Sequence, residues 1–199
     1  LGALARPFRG AVAEPTATPG GGSVSALAAA LAAALGQMVA GLSRKKKSQA
    51  AHVEALTEVL DTMQRAAEEL THAIDEDAVA YNAVLAAFKL PQGNAEETRR
   101  RDLEIQAATR VAAEVPLRVA ERAVALYERL GQLEAISAAS MRSDLRVARL
   151  MAAAGARGAI ENVEINLESI LDAPYAAAVR GQLEAIRQRL GELPRKAGA

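Results

Sequence analysis

The longest hydrophobic pattern in the chain recurs at helical spacing over residues 52–88, where apolar side chains return every three or four positions. A second pattern of the same period starts after Asn94, and Glu97 lies three residues further on, which resembles a capping box. The pattern therefore predicts two long amphipathic helices, separated by the Pro- and Gly-containing residues 90–93.

Proline and glycine set the remaining expected boundaries. Pro116 lies inside the second long pattern, so it predicts a kinked helix rather than a terminated one. Gly131 is expected to break the chain, Gly155 to end a helix, and Gly155 and Gly158 to bracket a tight crossing. Asp172 resembles an N-cap with a proline in the following turn. The helices expected after Gly131 cover residues 133–139, 143–154, 160–171 and 175–190.

A third hydrophobic stretch, residues 24–42, carries no charge and is followed by the basic residues 44–47. Its length and basic flank are compatible with a membrane span. Alanine dominates it, however, so a buried core helix is the preferred interpretation. Alanine supplies 48 of the 199 residues and aromatic residues only 3%, which favours helix over strand. The predicted class is all-α: a single-domain bundle of long, Ala-rich antiparallel helices, one of them Pro-kinked.

Length and charge limit the remaining possibilities. A chain of 199 residues fits one domain, which we place at residues 14–192, between a loosely held segment 1–13 and a flexible tail 193–199. The 24 basic and 24 acidic residues cancel, so we expect no nucleic-acid or membrane partner. Cysteine is absent and the two histidines lack a paired Glu-x-x-His motif, so no metal site is expected.

The sharpest local motif is the run Pro19, Gly20, Gly21, Gly22 and Ser23, directly before the Ala-rich helix. Glycines let a backbone approach a ligand closely, and free N–H groups at a helix start form an anion or carbonyl site. A flexible linker capped by the serine is the alternative interpretation.

An acidic cluster lies inside the first long helix. Asp77 and Tyr81 are four residues apart and share a face, which places a carboxylate beside an aromatic ring. A carboxylate on a partly buried face is costly unless it is partnered or used. Asp77 is therefore the candidate catalytic group, whereas Glu76 is expected to be solvated.

Further polar residues could contribute to a site. Asn162 and Asn166 lie one helical turn apart, and asparagine is unfavourable within a helix, so both could hydrogen-bond a ligand or a neighbouring helix. Ser143 and Asp144 open a helix, where N-capping is the simpler explanation. The basic run that contains Lys46 and Lys47 fits a solvated helix end or a carboxylate-binding site.

Taken in order, these motifs resemble the C-terminal domain of the formiminotransferase-cyclodeaminase family, which also contains free-standing methenyltetrahydrofolate cyclohydrolases. The resemblance covers about residues 14–190. It departs at the basic run, where cyclohydrolase-like members usually carry a glycine before the lysines and an aromatic residue after them. The motifs that carry it are Pro-Gly-Gly-Gly-Ser at 19–23, Asp-Glu-Asp-Ala-Val-Ala-Tyr at 75–81, Leu90-Pro91, Val115-Pro116-Leu117, Ser143-Asp144 and Asn162-Val163-x-x-Asn166.

The resemblance implies an all-helical subunit that forms a homodimer, with a folate pocket near the subunit interface. The family's acidic catalytic position matches Asp77, and the glycine run, the Ser-Asp pair and the two asparagines match its other motifs. The expected function is a cytoplasmic formimidoyltetrahydrofolate cyclodeaminase that needs no metal or separate cofactor. Methenyltetrahydrofolate cyclohydrolase is one alternative, and a non-catalytic helical scaffold is another.

Overall fold

The computed structural model describes residues 2–191, which form six α-helices and two short 3₁₀ helices, Lys47–His52 and Ala139–Met141, with no β-strand in this range. The predicted all-α class is confirmed. The α-helices are α1 (Gly2–Ala13), α2 (Gly21–Arg44), α3 (Val53–Phe88), α4 (Ala95–Leu133), α5 (Arg142–Leu167) and α6 (Ala173–Arg189).

Helices α2 to α5 form a four-membered ring in which α2 and α4 each pack against both α3 and α5. Ser23, near the start of α2, is hydrogen-bonded to Asp77 in the second half of α3, so these two helices are antiparallel. Ser43, near the end of α2, accepts a hydrogen bond from the backbone N–H of Ala138, just before α5 begins. Helix α2 is therefore antiparallel to α5 as well.

Small residues allow the four helices to approach closely. A Cβ at Gly36 of α2 would lie 2.6 Å from Leu130 Cδ2, and one at Gly155 of α5 would lie 2.8 Å from the Ser25 carbonyl oxygen. Alanines of α2 fill the space between these contacts: Ala26, Ala29, Ala30, Ala32 and Ala33 are buried in the common core. The predicted core of small side chains is confirmed.

Helix α2 is also the one described helix that is long and apolar enough to cross a membrane. Half of its most apolar window is buried against the other helices, and core helices of soluble proteins pass the same test. The structure therefore places this stretch in the core of the bundle, as expected.

Two expected breaks at glycines are wrong. Gly155 does not end a helix, because α5 runs without interruption from Arg142–Leu167. Gly131 lies inside α4, which continues to Leu133, and no separate α-helix covers residues 133–139. Gly155 lies at a close contact with α2, whereas a Cβ at Gly131 would make only an ordinary contact, 3.5 Å from the Arg149 guanidinium. A glycine costs only about 1 kcal/mol inside a helix, and packing offsets that cost.

The other boundary signals hold. Asn94 Oδ1 accepts a hydrogen bond from the Glu97 N–H at 2.9 Å, while Glu97 Oε2 accepts from Gly93 N–H, one residue outside the usual capping box. Asp172 caps α6 through the Tyr175 N–H at 3.0 Å. Pro116 lies inside α4 without ending it.

The terminal segments differ from one another. Residues 2–13, expected to be loosely held, form the amphipathic helix α1, which has no buried residue and no packed interface with another described helix. Leu4 and Phe8 lie one turn apart on one side of α1, and Arg6 and Arg9 lie on the other. The expected flexible tail, 193–199, lies outside the described residues.

The α3–α4 hairpin projects beyond the start of α2. Helix α3 has 36 residues and α4 has 39, whereas α2 has 24. Because the N-terminus of α2 lies level with Asp77, the last three turns of α3 extend past the N-terminus of α2. A second small core of Ala80, Ala112 and Val115 holds the projecting part of the hairpin together. The projecting part of the hairpin therefore lies beside the N-terminus of α2.

Candidate functional site

The candidate site centres on the Asp77 carboxylate at the N-terminus of α2. Asp77 Oδ2 accepts hydrogen bonds from the Ser23 backbone N–H and from Ser23 Oγ, both at 2.9 Å. The first N–H groups of a helix have no partner within the helix, and its positive end favours an anion. Asp77 supplies both a hydrogen-bond acceptor and a negative charge to this helix end, from 54 residues further along the chain.

The glycine run forms the first turn of α2 and not a loop. Gly20 is the N-cap, and Gly21 and Gly22 are the first helical residues. A Cβ at Gly22 would overlap Asp77 Oδ1, and one at Gly21 would lie 3.3 Å from Asn162 Nδ2. Glycine is needed at position 22 because the carboxylate occupies the space of a side chain. The flexible-linker alternative is therefore wrong.

The two asparagines lie on the side of α5 that faces this helix end. Asn162 Nδ2 donates to the Gly158 carbonyl at 2.7 Å, and its side chain contacts the position of Gly21. Asn166 Nδ2 donates to the carbonyls of Ala112 at 2.9 Å and Asn162 at 2.8 Å. Asn166 therefore links α5 to α4, whereas Asn162 borders the site directly.

Tyr81 lies one helical turn beyond Asp77 and is 39% exposed. The same side of α3 continues through Leu85 and Phe88, which are 39% and 52% exposed because this part of α3 lies beyond the N-terminus of α2. These three side chains form an apolar wall next to the carboxylate. Leu85 and Phe88 were not among the predicted site residues. Leu85 lies four residues after Tyr81 and Phe88 three residues after Leu85, a spacing that indicates the shared face.

Burial separates the residues of the glycine run. Gly22 and Ser23 are buried, and Ser23 has no exposed surface, so its polar groups serve Asp77 and not an open pocket. Pro19 and Gly20 are half-buried and Gly21 is exposed. The surface that a ligand could reach thus consists of Pro19, Gly20 and Gly21, with Asn162 beside them.

The remaining predicted residues lie at the opposite end of α2. Lys46 and Lys47 follow its last residue, and the 24 residues of the helix span about 36 Å. Ser143 and Asp144 lie in the first turn of α5 at that same end, where Met141 is the N-cap, so the N-capping role considered for Ser143 is wrong. Within one chain, the structure does not bring these four residues to Asp77.

Displaced pKa values occur around α6, away from the site. The hydrogen bond from Arg189 lowers the pKa of Glu128, and the hydrogen bond from the Tyr175 backbone N–H lowers the pKa of Asp172. Burial raises the pKa of the Tyr175 hydroxyl. These groups fasten α6 to α4, so their electrostatics serve the fold.

Within residues 2–191, no group of three or more His, Cys, Asp or Glu side chains is arranged to hold a metal ion. The acidic residue of the Glu69-x-x-His72 motif is instead paired with Arg122, at 3.1 Å. The polar groups collected at the start of α2 are a carboxylate, amides and backbone N–H groups. This set is suited to hydrogen bonding, proton transfer and compensation of a positive charge.

Comparison with known proteins identifies relatives that are similar to this chain over most of its length. The chain is 37% identical over 184 residues to the formimidoyltransferase-cyclodeaminase of Sus scrofa, covering 92% of this chain and 34% of that protein. It is 34% identical over 192 residues to the methenyltetrahydrofolate cyclohydrolase of Methylorubrum extorquens, covering 94% of this chain and 89% of that protein. The chain thus spans about a third of the first relative and nearly all of the second.

A solved structure has the same fold. The crystal structure of formiminotetrahydrofolate cyclodeaminase from Thermotoga maritima superposes with a TM-score of 0.83 at 29% identity, covering 92% of this chain and 88% of that one. The family model described as formiminotransferase-cyclodeaminase matches residues 5–185. From the glycine turn to α6, this chain belongs to the formiminotransferase-cyclodeaminase family.

Proposed function

We propose that this protein is a folate-dependent one-carbon enzyme that converts 5-formiminotetrahydrofolate to 5,10-methenyltetrahydrofolate and ammonia. The observation that carries the proposal is the Asp77 carboxylate, with Oδ2 anchored by Ser23 and Oδ1 bonded to no donor among the described residues. An anchored carboxylate with one oxygen that accepts no hydrogen bond among these residues is suited to moving a proton. The similarity to cyclodeaminases supports the choice of substrate.

The reaction fits a single acid/base group. N10 of the folate attacks the carbon of the protonated formimino group, and a C–N bond forms. Asp77 takes the proton from N10 and delivers it to the formimino nitrogen, which leaves as ammonia when its bond to carbon breaks. The product is the 5,10-methenyl cation, whose charge the carboxylate stabilises. This sequence requires no metal ion and no redox cofactor.

The surroundings of Asp77 suit a flat, partly apolar substrate. Tyr81, Leu85 and Phe88 offer an apolar wall for an aromatic ring system, and the start of α2 lies against it. Gly21 is exposed, and the Asn162 side-chain amide lies against it, so backbone and amide groups are available at the same point. We propose that these groups orient the folate so that N10 faces Asp77.

Methenyltetrahydrofolate cyclohydrolase activity is the second candidate. In that reaction water attacks the same cationic carbon, so one pocket could host either step. The similarity to a cyclohydrolase over 89% of that protein's length favours this alternative. A non-catalytic scaffold is the third possibility, and the anchored carboxylate argues against it.

Two assays separate the three functions. Release of ammonia from 5-formiminotetrahydrofolate, with the rise of methenyl absorbance in the near ultraviolet, is expected for a cyclodeaminase. Decay of methenyl absorbance without ammonia release would instead indicate a cyclohydrolase. If the protein changes the rate of neither reaction, both enzymatic proposals are wrong.

We also propose a two-fold homodimer, in the cytoplasm and without nucleic-acid or membrane partners. The outward side of α2 carries Val24, Leu31 and Met38 at intervals of seven residues, and these are 40–48% exposed. Such spacing suits pairing with a second helix. An antiparallel pair of α2 helices, centred near Leu31, would align the start of each helix with the end of the other.

That arrangement would complete the site. It would bring the partner subunit's Lys46 and the partner subunit's Lys47 towards the Asp77 end of the first subunit. Lysines there could bind the glutamate carboxylates of the folate. The two groups of predicted residues, which lie about 36 Å apart along α2, would then meet across the interface.

Subunit mixing tests the dimer and the shared site together. We expect Asp77→Asn and the double variant Lys46→Ala/Lys47→Ala each to have little activity alone. Equal mixing gives half heterodimers, each with one intact site, so about a quarter of wild-type activity should return. Sedimentation should show a dimer at micromolar concentration. A monomer, or a mixed dimer without regained activity, would contradict the shared site.

A further inference from the structure

We propose that the groove between α4 and α5 around Arg149 is a binding site for a small organic dicarboxylate, separate from the site at Asp77. The groove has a volume of about 370 Å³, which is within the range of small-molecule sites. Arg149 lies 13 residues before Asn162 on α5, about 20 Å along the helix. The residues that line the groove include no acidic side chain: Tyr127, Arg146, Arg149, Leu150, Ala153 and Arg157.

Arg149 differs from the other arginines that are buried or half-buried within residues 2–191. Of these five arginines, four contact an acidic side chain at 2.6–3.8 Å: Arg101 with Asp102, Arg110 with Asp172, Arg129 with Glu58 and Arg187 with Glu164. Arg149 has no acidic partner among the described residues, and its Nε is buried without an acceptor. A partly desolvated charge is costly without a counter-charge. The groove therefore lacks an anion that a ligand can supply.

The Arg149 guanidinium is held in place on the surface of α4. Its Cζ lies 4.6 Å from the centre of the Tyr127 ring, a cation–π contact. One turn further along α4, Gly131 leaves room for the group, because a Cβ there would lie 3.5 Å from Cζ and Nη2. Glu128 is already engaged, since Arg189 donates to both of its carboxylate oxygens, at 2.9 and 2.7 Å. The groove thus presents a fixed guanidinium that its neighbours do not neutralise.

The spacing of two arginines defines the chemistry of the ligand. Arg146 lies one turn before Arg149 on α5, is exposed and lines the same groove. Side chains three residues apart on a helix have Cβ atoms about 5–6 Å apart, similar to the separation of the carboxylates in succinate or glutarate. A guanidinium binds a carboxylate through two parallel hydrogen bonds. Leu150 and Ala153 offer apolar surface to the carbon chain of such a ligand.

The test measures glutarate binding to the full chain by isothermal titration calorimetry at fixed, low ionic strength. We expect saturable binding with one site per chain. Arg149→Gln should weaken it by about tenfold or more, because hydrogen bonds between charged groups are lost. Arg149→Lys keeps the charge but not the planar fork, so it should also weaken binding. Arg180→Gln removes an exposed arginine of α6, with the same change in net charge, and should leave the affinity unchanged.

Thermal unfolding provides an independent measurement and a control for folding. Circular dichroism should show that each variant is helical. A ligand that binds only the folded state raises the melting temperature. Glutarate should therefore raise the melting temperature of the wild type and of Arg180→Gln, and should have a much smaller effect on Arg149→Gln.

Two further probes test the class of ligand. Butyrate carries one carboxylate, and sulfate carries two charges on a single centre, so both should bind more weakly than glutarate. Arg146→Gln should remove the advantage of glutarate over butyrate, because only one guanidinium then remains at this end of the groove. Equal binding of the three probes, or an equal loss in Arg180→Gln, would show unspecific ion attraction and would overturn the proposal.

The remaining outcomes also contradict a dicarboxylate site. Absence of saturable glutarate binding by the wild type at millimolar concentration would overturn it directly. Sedimentation provides the second check. If Arg149→Gln changes the oligomeric state and the wild type does not bind glutarate, Arg149 pairs with an acidic side chain of another chain and not with a small molecule. None of these measurements depends on folate turnover, so the proposal and the proposed function fail separately.

Discussion

The two ends of α2 satisfy their free backbone groups in different ways. At the C-terminal end the chain uses local groups: the N–H of Lys45 bonds to carbonyls of the last turn, and basic side chains follow, as a helix C-terminus favours. At the N-terminal end no local side chain forms the cap, and Asp77 enters from α3. Because the cap at the N-terminal end comes from a distant helix, it also fixes a carboxylate at the surface. The local groups at the C-terminal end only terminate the helix.

The largest expected effect comes from removing the charge at the N-terminal end. Asp77→Asn keeps an oxygen that can accept from Ser23, so the fold should persist, but the variant cannot accept a proton. Turnover should fall by about 10²–10⁴-fold while folate still binds, because general acid–base groups typically contribute that much. Steady-state kinetics and a folate titration measure the two quantities.

Asp75→Asn is the matched control, since Asp75 is exposed and lies about 160° away from Asp77 around α3. It should lower turnover far less. If Asp75→Asn is the more damaging change, Asp75 and not Asp77 is the acid/base group, even though the family assignment stands.

The next largest effect is expected at a glycine near the N-terminal end of α2, and a glycine near its C-terminal end serves as the control. Gly22→Ala places a methyl group on Asp77 Oδ1, so the turn or the carboxylate must shift. Overpacking of this kind typically costs about 1–3 kcal/mol, and turnover should fall together with the melting temperature. Gly41→Ala is the control, because its Cβ would meet Leu60 Cδ1 at an ordinary 3.4 Å.

Because alanine is a better helix former, Gly41→Ala should leave the melting temperature unchanged or raise it. Thermal unfolding followed by circular dichroism measures both variants. Equal losses at the two positions would show that the close approach at Gly22 has no special role.

The smallest expected effect is at the N-terminus of α6, which is capped by a residue close to it in sequence. Asp172 caps α6, and the hydrogen bond from the Tyr175 N–H lowers its pKa in the folded state. Its contribution to stability is therefore present above the unfolded pKa of about 3.9 and is lost as the pH falls through the lower folded value. Asp172→Asn retains a capping acceptor without the charge.

The difference in melting temperature between wild type and Asp172→Asn should thus be small at neutral pH and should vanish in acid. Folate turnover should not change, because α6 lies away from the site. A difference that grows as the pH falls would contradict the assigned direction of the pKa shift.

Local signals in the sequence predicted local structure well. The cap at Asn94, the cap at Asp172 and the long α3 helix depend on residues within a few positions of one another, and all three are present. The prediction at Gly155 was wrong because the effect of a glycine depends on what it faces. The close contact with Ser25 of α2 lies 130 residues away in the chain and leaves no local trace.

The candidate site shows the same limit. Asp77 could be selected from its position on an apolar helix face, and the glycine run from its composition. The hydrogen bonds between Ser23 and Asp77 join residues that are 54 positions apart in the chain. The sequence alone therefore does not indicate that Ser23 is buried or that it binds the carboxylate. Lys46 and Lys47 do not lie near Asp77 within one chain, because the 24 residues of α2 separate them from its N-terminus by about 36 Å.

The order of the ring has a consequence for synthesis of the chain. Helices α2 and α3 are neighbours in sequence, so the Asp77–Ser23 contact can form as soon as both have left the ribosome. Asn162, which borders the site, lies on α5, the last of the four ring helices to be made. The contact that anchors the carboxylate thus joins the first two ring helices, whereas the residue that borders it comes from the fourth, so the site can be complete only after α5 has been made.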